Sequence, residues 1–198
     1  MIFNGVKMSK VAICNKALAL LGARKITSLA DDMQEAIVLN NVYTGSLKTI
    51  LSECLWHFAA KRAVLNLTTE KPVFGDGNVF ALPGDIVRLF KTNLPQDCAY
   101  TIEGQNLITN ADSVGIIYTF LNEADEMYPP YFTNAFTYLL AHDVSYELTG
   151  TTSKTQELLE LYEMQYLPAA RSKNARDVTP DKVRDSAWVD SVFGTVWG

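Results

Sequence analysis

The chain has few of the residues on which metal sites and thiol chemistry depend. Among its 198 residues there are three cysteines, two histidines and no Cys-x-x-Cys pair. Cys14 and Cys54 fall on apolar helical stripes, so we expect buried free thiols and synthesis in a reducing compartment. The sequence predicts no metal site and no cofactor.

Positive charge and long apolar runs are also scarce. The formal net charge is −5 and there is no basic block, which argues against a protein that grips nucleic acid by its phosphates. We expect no membrane partner, because no apolar run is long enough to span a bilayer and no secretory leader is recognisable. Met8 is a second possible start after Met1. Gly75-Asp76-Gly77 lacks the lysine of a phosphate-binding loop.

What the chain does have is apolar periodicity. Hydrophobic residues make up 48% of it, enough for the core of one domain. The stretch Asp32–Leu67 organises the rest. Its first part carries apolar residues at steps of three and four, which indicate one helical face: Ala36, Leu39, Tyr43, Leu47, Ile50 and Cys54. Asp31 and Asp32 are predicted to cap this helix. After Trp56 the pattern alternates, so the helix is predicted to continue into a strand without a turn.

Four helices are predicted, at Ser9–Leu21, Asp32–Trp56, Pro130–Leu148 and Ser153–Leu167. Proline suits the first turn of the third helix, and Gly150 should end it. Ser153 and Gln156 match a capping box for the fourth helix. Pro168 is predicted to kink or break the chain, because it lacks an amide proton and its ring clashes with the preceding turn.

Between the second and third helices the helical period disappears. Six strands are predicted, at Lys61–Thr68, Val79–Leu82, Val87–Phe90, Ala99–Glu103, Leu107–Thr109 and Val114–Leu121. Turn residues separate them, and Gly104-Gln105-Asn106 should make a hairpin. We therefore predict an α+β fold, a four-helix bundle with an antiparallel, meander-like sheet inserted between its second and third helices. The segments are a helical half-bundle (1–60), the β region (61–121), a second half-bundle (122–176) and an extended tail (177–198).

Two pairs of residues have the types and spacing of possible chemical sites. Cys54 and His57 are three apart, as in a thiol–imidazole pair or half a metal site, but no further ligand stands at suitable spacing. His142 and Asp143 are neighbours on a helix and should point about 100° apart, which argues against a dyad. We assign both pairs to structure.

Acidic residues offer a second chemical hypothesis. Two carboxylates are the machinery of glycoside cleavage, and five candidates lie at helix starts and in loops: Asp31, Asp32, Glu123, Asp125 and Glu126. Acidic residues in such places are more often caps and solvated charges. The residues by themselves predict no enzyme.

Several segments stand in a recognisable order: Leu55–Leu65, with a tryptophan and a phenylalanine where a helix passes into a strand; Phe80–Leu89, with a Leu-Pro-x-Asp turn; Tyr128–Phe132, Leu139–Ala141 and Leu148–Gly150 in the third helix; and Asp185–Trp188. Their order and spacing resemble the tail tubular protein A family, the head-to-tail adaptors of short-tailed bacteriophages. The resemblance covers Val11 to Trp188. Pro168 and the aromatic residues after Trp188 depart from the family pattern.

The resemblance implies a ring, usually of twelve subunits, docked under the portal of a capsid. Such a ring extends the DNA channel, without sequence-specific DNA binding, and receives the tail nozzle or another tail protein. The protein would assemble in the host cytoplasm and reside at the head–tail interface of the virion. In the family the carboxy-terminal segment docks on the portal, which makes these residues the predicted portal-binding set: Trp188, Val189, Val192, Phe193, Val196 and Trp197.

Three alternatives stay open at this point. The chain could be a tail-associated peptidoglycan hydrolase, which would need two carboxylates whose loss abolishes lysis. It could be a helical regulatory module that forms dimers. The tail could also fold back on its own subunit instead of binding the portal.

Overall fold

The computed structural model describes residues 8–72 and 77–177. Its helices are α1 (Lys10–Leu21), α2 (Gln34–Glu53), α3 (Pro130–Thr149), α4 (Thr152–Leu161) and α5 (Leu167–Arg176). A π-helical turn, Tyr162–Tyr166, joins α4 to α5. The fold combines these helices with two antiparallel sheets that lie between α2 and α3 in the chain.

Seven strands form the two sheets. They are β1 (Ala60–Val64), β2 (Asn66–Leu67), β3 (Asn78–Ala81), β4 (Ile86–Thr92), β5 (Tyr100–Glu103), β6 (Asn106–Thr109) and β7 (Gly115–Phe120). The first sheet has the order β1-β7-β4, and the second has the order β2-β3-β6-β5. Side chains from both sheets share a small core that includes Phe80, Leu107, Ile116 and Tyr118.

The larger core lies among the helices, where α3 contacts α1, α2, α4 and α5. Leu47 and Ile50, on the predicted apolar face of the second helix, are both 0% exposed, which confirms that face, and Leu139 of α3 is 5% exposed. The predicted third helix is also confirmed. It begins at Pro130 and ends before Gly150, whose φ of 65° is a left-handed conformation that glycine adopts without strain.

The predicted start of the second helix is wrong. Met33 occupies the N-cap position without a side-chain cap. The Asp31 carboxylate instead accepts hydrogen bonds from Thr27 and Ser28 in the preceding loop. A short acidic side chain satisfies whichever amides lie nearest, and here those belong to the loop. The end of the helix is also earlier than predicted, since α2 stops at Glu53 and a 3₁₀ turn, His57–Ala59, separates it from β1.

The single meander-like sheet is a second correction. The predicted strand Lys61–Thr68 divides at Leu65, with β1 in one sheet and β2 in the other. The Leu65 amide donates to the Val114 carbonyl at 2.8 Å, which holds the chain at the crossing point. Leu67, at the end of the alternating stretch, is 57% exposed. The hairpin at Gly104 is confirmed, because Glu103 pairs with Asn106 across it.

The last helices of the described chain differ from prediction at two residues, Ser153 and Pro168. Thr151, not Ser153, is the N-cap of α4, and it makes no side-chain cap bond, so the capping box is wrong. Pro168 does not break the chain. The helix passes through the π-helical turn and continues as α5, with the proline in its first turn. Proline is tolerated there because the wider π turn that precedes it relieves the clash of its ring with the preceding turn.

Candidate interaction surface

The junction between α2 and β1 is built around a buried tryptophan. Trp56 is fully buried, and its indole Nε1 donates to the Ile50 carbonyl at 2.7 Å. Its ring meets Phe132 of α3 edge-on at 5.1 Å between centroids. The indole N–H therefore satisfies a carbonyl of the last turns of α2, while the ring joins the helical core.

Side chains of helix α5 bind to the same junction between α2 and β1. The Asn174 side chain donates to the Leu55 carbonyl at 2.9 Å and accepts from the His57 amide at 3.0 Å. Asn174 is itself 5% exposed. Arg171, one turn earlier, forms an ion pair with Glu53. The Leu55 carbonyl and the His57 amide, which lie between the end of α2 and β1, are thus satisfied by a helix more than a hundred residues away in sequence.

Asp85, in the Leu-Pro-x-Asp turn, connects this region to the sheets. Its carboxylate accepts from Lys61 Nζ at 2.6 Å and from the Tyr118 hydroxyl at 3.2 Å. The hydrogen bond from Lys61 holds the pKa of Asp85 below its usual value. The Asp85 carbonyl also accepts from the Leu121 amide at 2.8 Å. The turn therefore ties β1, β4 and β7 together.

An open groove lies at one end of the β1-β7-β4 sheet, with a volume of about 520 Å³. Arg62, Ile117 and Lys91 are direct cross-strand partners, so their side chains share one face. Val64, in the same groove, is 72% exposed. The next row of this face contains the fully buried Thr119 paired with Arg88, whose guanidinium donates to the Ser52 carbonyl of α2. Helix α2 thus covers one end of the sheet face and leaves the cationic, apolar end open.

The β5 edge of the other sheet is a second uncovered apolar surface. Tyr100 and Ile102 are 45% and 47% exposed, and β5 is paired on one side, to β6. Edge strands with apolar side chains are common places for another chain to pair. Both surfaces have the character of contact sites, and neither gathers groups for bond-making chemistry.

His142 and Asp143 do contact each other, contrary to the prediction from helical spacing. His142 Nδ1 lies 2.9 Å from Asp143 Oδ1, and the other carboxylate oxygen accepts from the Ser46 hydroxyl of α2. The spacing argument described the Cα–Cβ directions, but rotation about the side-chain bonds brings the two groups together. Here the carboxylate stands between serine and histidine, whereas nucleophilic activation requires the histidine to contact the serine. Ser46 is also 3% exposed, so the cluster serves as a cross-link between α2 and α3.

The Cys54–His57 pair does not form a site in the described chain. Cys54 is the C-cap of α2 and is half-buried, and burial raises its thiol pKa to about 11. A thiol held protonated is a poor nucleophile and a poor metal ligand. Among the residues the structure describes, no three His, Cys, Asp or Glu side chains are grouped to hold a metal ion.

Of the candidate carboxylates, Asp125 and Glu126 lie in a 3₁₀ turn just before α3. Asp31 is a loop cap, and hydrogen bonds from the backbone of Ser28 and Thr27 lower its pKa. The portal-binding set, from Trp188 to Trp197, lies outside the described residues.

No helix within 8–72 or 77–177 is long and apolar enough to cross a bilayer.

Sequence reasoning missed two structural features of this region, Asn174 and the groove. Nothing in the local pattern marks Asn174, since a buried asparagine and an exposed one look alike in sequence. The sequence gives a weak indication of the cationic groove, because Arg62 and Lys91 interrupt otherwise apolar strands.

Comparison with known proteins found no match to any protein-family model and none among curated proteins.

Proposed function

We propose that this chain is the subunit of a head-to-tail adaptor ring in a short-tailed bacteriophage virion. The ring docks under the portal, extends the DNA channel and receives the tail nozzle or another tail protein. The helices form a four-helix bundle that makes up the ring body, and the inserted β region faces the tail. The role is structural and not catalytic. The subunit assembles in the host cytoplasm and resides at the head–tail interface.

The observation that carries the proposal is the convergence of the segments on which the resemblance rests. Lys61, in the junction segment, is bonded to Asp85 of the Leu-Pro-x-Asp segment at 2.6 Å. Trp56, in the same junction, packs against Tyr131 and Phe132 of the third-helix segment. Three stretches far apart in sequence meet in one connected unit.

The charge of the chain supports the same role. A net charge of −5 gives a ring of such subunits a negative field, which weakens non-specific attachment of the phosphate backbone. DNA can then pass through a channel without being held. The open groove and the β5 edge supply surfaces for neighbouring proteins.

The tail is the proposed portal contact. Trp188, Val192 and Val196 are four apart, so a helix formed on binding would present them on one side. Tryptophan and phenylalanine are also frequent anchors of protein interfaces. Each subunit carries one tail, so a ring of subunits would bind the portal through many tails at once. Such multivalent binding gives the ring a higher overall affinity than a single tail has.

Deletion of residues after Asp177 tests this contact. The truncated protein is expected to stay soluble and to melt cooperatively, because the cores of the described chain lie upstream, and to lose association with the portal. Circular dichroism melting and co-sedimentation with portal rings measure both halves. Phe193→Ala/Trp197→Ala in the full chain should reduce co-sedimentation, with Thr195→Ala as the matched control in the same segment. A truncated protein that still co-sediments would remove the tail from the interface.

A further inference from the structure

The open groove on the β1-β7-β4 sheet has an unusual combination of chemistry. Arg62 and Lys91 are the partners of Ile117 on the two neighbouring strands. Their backbones are about 10 Å apart, which is twice the spacing of neighbouring strands. Neither cation forms an ion pair with any described residue. Val64 adds a mostly exposed apolar side chain. The surface therefore fits a ligand that is apolar and carries negative charge.

One segment of this chain has that chemistry. In Asp185–Gly198 the charged residues are Asp185 and Asp190, and the large ones are two tryptophans, a phenylalanine and three valines. Carboxylates complement the two cations, and indole rings pack well against both apolar floors and cationic side chains.

The segment can also reach the groove within one subunit. Helix α5 lies beside the start of β1, because Asn174 is bonded to Leu55 and His57. From Ala60 to Val64 the strand advances about 13 Å. The seven residues 178–184, which connect the described chain to this segment, span up to about 23 Å when extended, which exceeds the advance along the strand.

We propose that in the free subunit the segment Asp185–Gly198 occupies this groove on its own chain, with its aspartates between Arg62 and Lys91 and its aromatic rings over Ile117 and Val64. The proposal goes beyond the portal contact and does not depend on it. If the segment binds both the groove and the portal, the groove covers its apolar side chains until the portal binds it. The two bound states then compete, and a portal shifts the population according to its own affinity.

The first test is acrylamide quenching of tryptophan fluorescence in the full chain. Trp56 is fully buried, so changes report Trp188 and Trp197. Arg62→Glu/Lys91→Glu is expected to raise the quenching constant about twofold, because charge reversal shifts the population towards the released segment. Lys16→Glu/Lys25→Glu makes the same change of charge at exposed positions of the helical part and should leave quenching unchanged. Equal quenching in all three proteins, each folded by circular dichroism, would overturn the proposal.

The second test needs no substitution and stays informative if the groove variant does not fold. A carbodiimide joins a lysine amine to a carboxylate only when the two are in contact. The native chain is expected to give a peptide linking Lys91 to Asp185 or Asp190, lost in 1 M salt because screening weakens the pairing. Cross-linking an equal mixture of ¹⁴N and ¹⁵N protein separates links within a chain from links between chains. Absence of this peptide, or its presence only as mixed-isotope pairs, would contradict occupancy by the subunit's own segment.

Discussion

Substitution of Asn174 by alanine tests how the end of α2 is held. The Asn174 amide is 5% exposed and makes two hydrogen bonds, to the Leu55 carbonyl and from the His57 amide. Alanine removes both partners and leaves two backbone groups in a partly buried place. Each such loss costs about 1–3 kcal/mol, partly offset by up to about 0.7 kcal/mol from the better helix propensity of alanine. We expect the free energy of unfolding to fall by about 2–4 kcal/mol.

Urea denaturation followed by circular dichroism and by tryptophan fluorescence measures this loss. For a chain of this size it corresponds to a melting temperature lower by roughly 5–15 °C. Asn134→Ala is the matched control, since Asn134 is an exposed residue on α3 and the exchange keeps only the propensity gain. A change of less than about 0.5 kcal/mol in Asn174→Ala, within the usual range for surface substitutions, would refute the argument that this side chain secures the junction.

Three further predictions concern stability and chemistry. Leu47→Ala should lower the free energy of unfolding by about 2–5 kcal/mol, because Leu47 is fully buried; an unchanged urea midpoint would contradict the assigned helix face. Asp85→Asn should cost about 0.2–1 kcal/mol, as for other half-exposed ion pairs. Because its pKa is lowered in the folded state, Asp85 contributes stability above its unfolded pKa of about 3.9 and loses it as pH falls through the folded value. The difference between the two proteins in urea titrations should therefore shrink below about pH 4. Cys54→Ala and His57→Ala should leave particle assembly intact if the variants fold, and loss of a measurable turnover in a folded variant would restore the enzyme hypothesis.

The parts of the fold that sequence predicted well are those set by local chemistry. Pro130 and Gly150 act through their own backbone preferences, so the ends of α3 could be located to within a residue. The hairpin at Gly104 depends on a turn residue with φ of 59° and was equally local. The buried face of α2 followed from the periodicity of its apolar side chains.

The parts that failed depend on contacts between distant residues. Alternation continues through Leu65, and the transfer of the chain from one sheet to the other is decided by its bond to Val114. The effect of Pro168 depended on whether the preceding turn could widen, and that turn and α5 both pack against the distant α3. Local pattern carries no information on either choice.

The candidate surface was harder to predict from the sequence than the fold was. The cationic groove exists because strands β1 and β4 both flank β7, and sequence order does not predict that arrangement. Asn174 was likewise invisible, since its partners are backbone groups more than a hundred residues away. The contact between His142 and Asp143 was rejected from Cβ directions alone, although the side chains have enough freedom to meet.

The most direct test of the proposed role is the mass of the purified full chain, alone and mixed with a portal protein, by sedimentation or native mass spectrometry. The subunit mass is 22.0 kDa. We expect a complex in which many copies, twelve by resemblance to the adaptor family, join one portal ring. A chain that keeps the mass of a monomer or a dimer in the presence of portal rings would contradict the account.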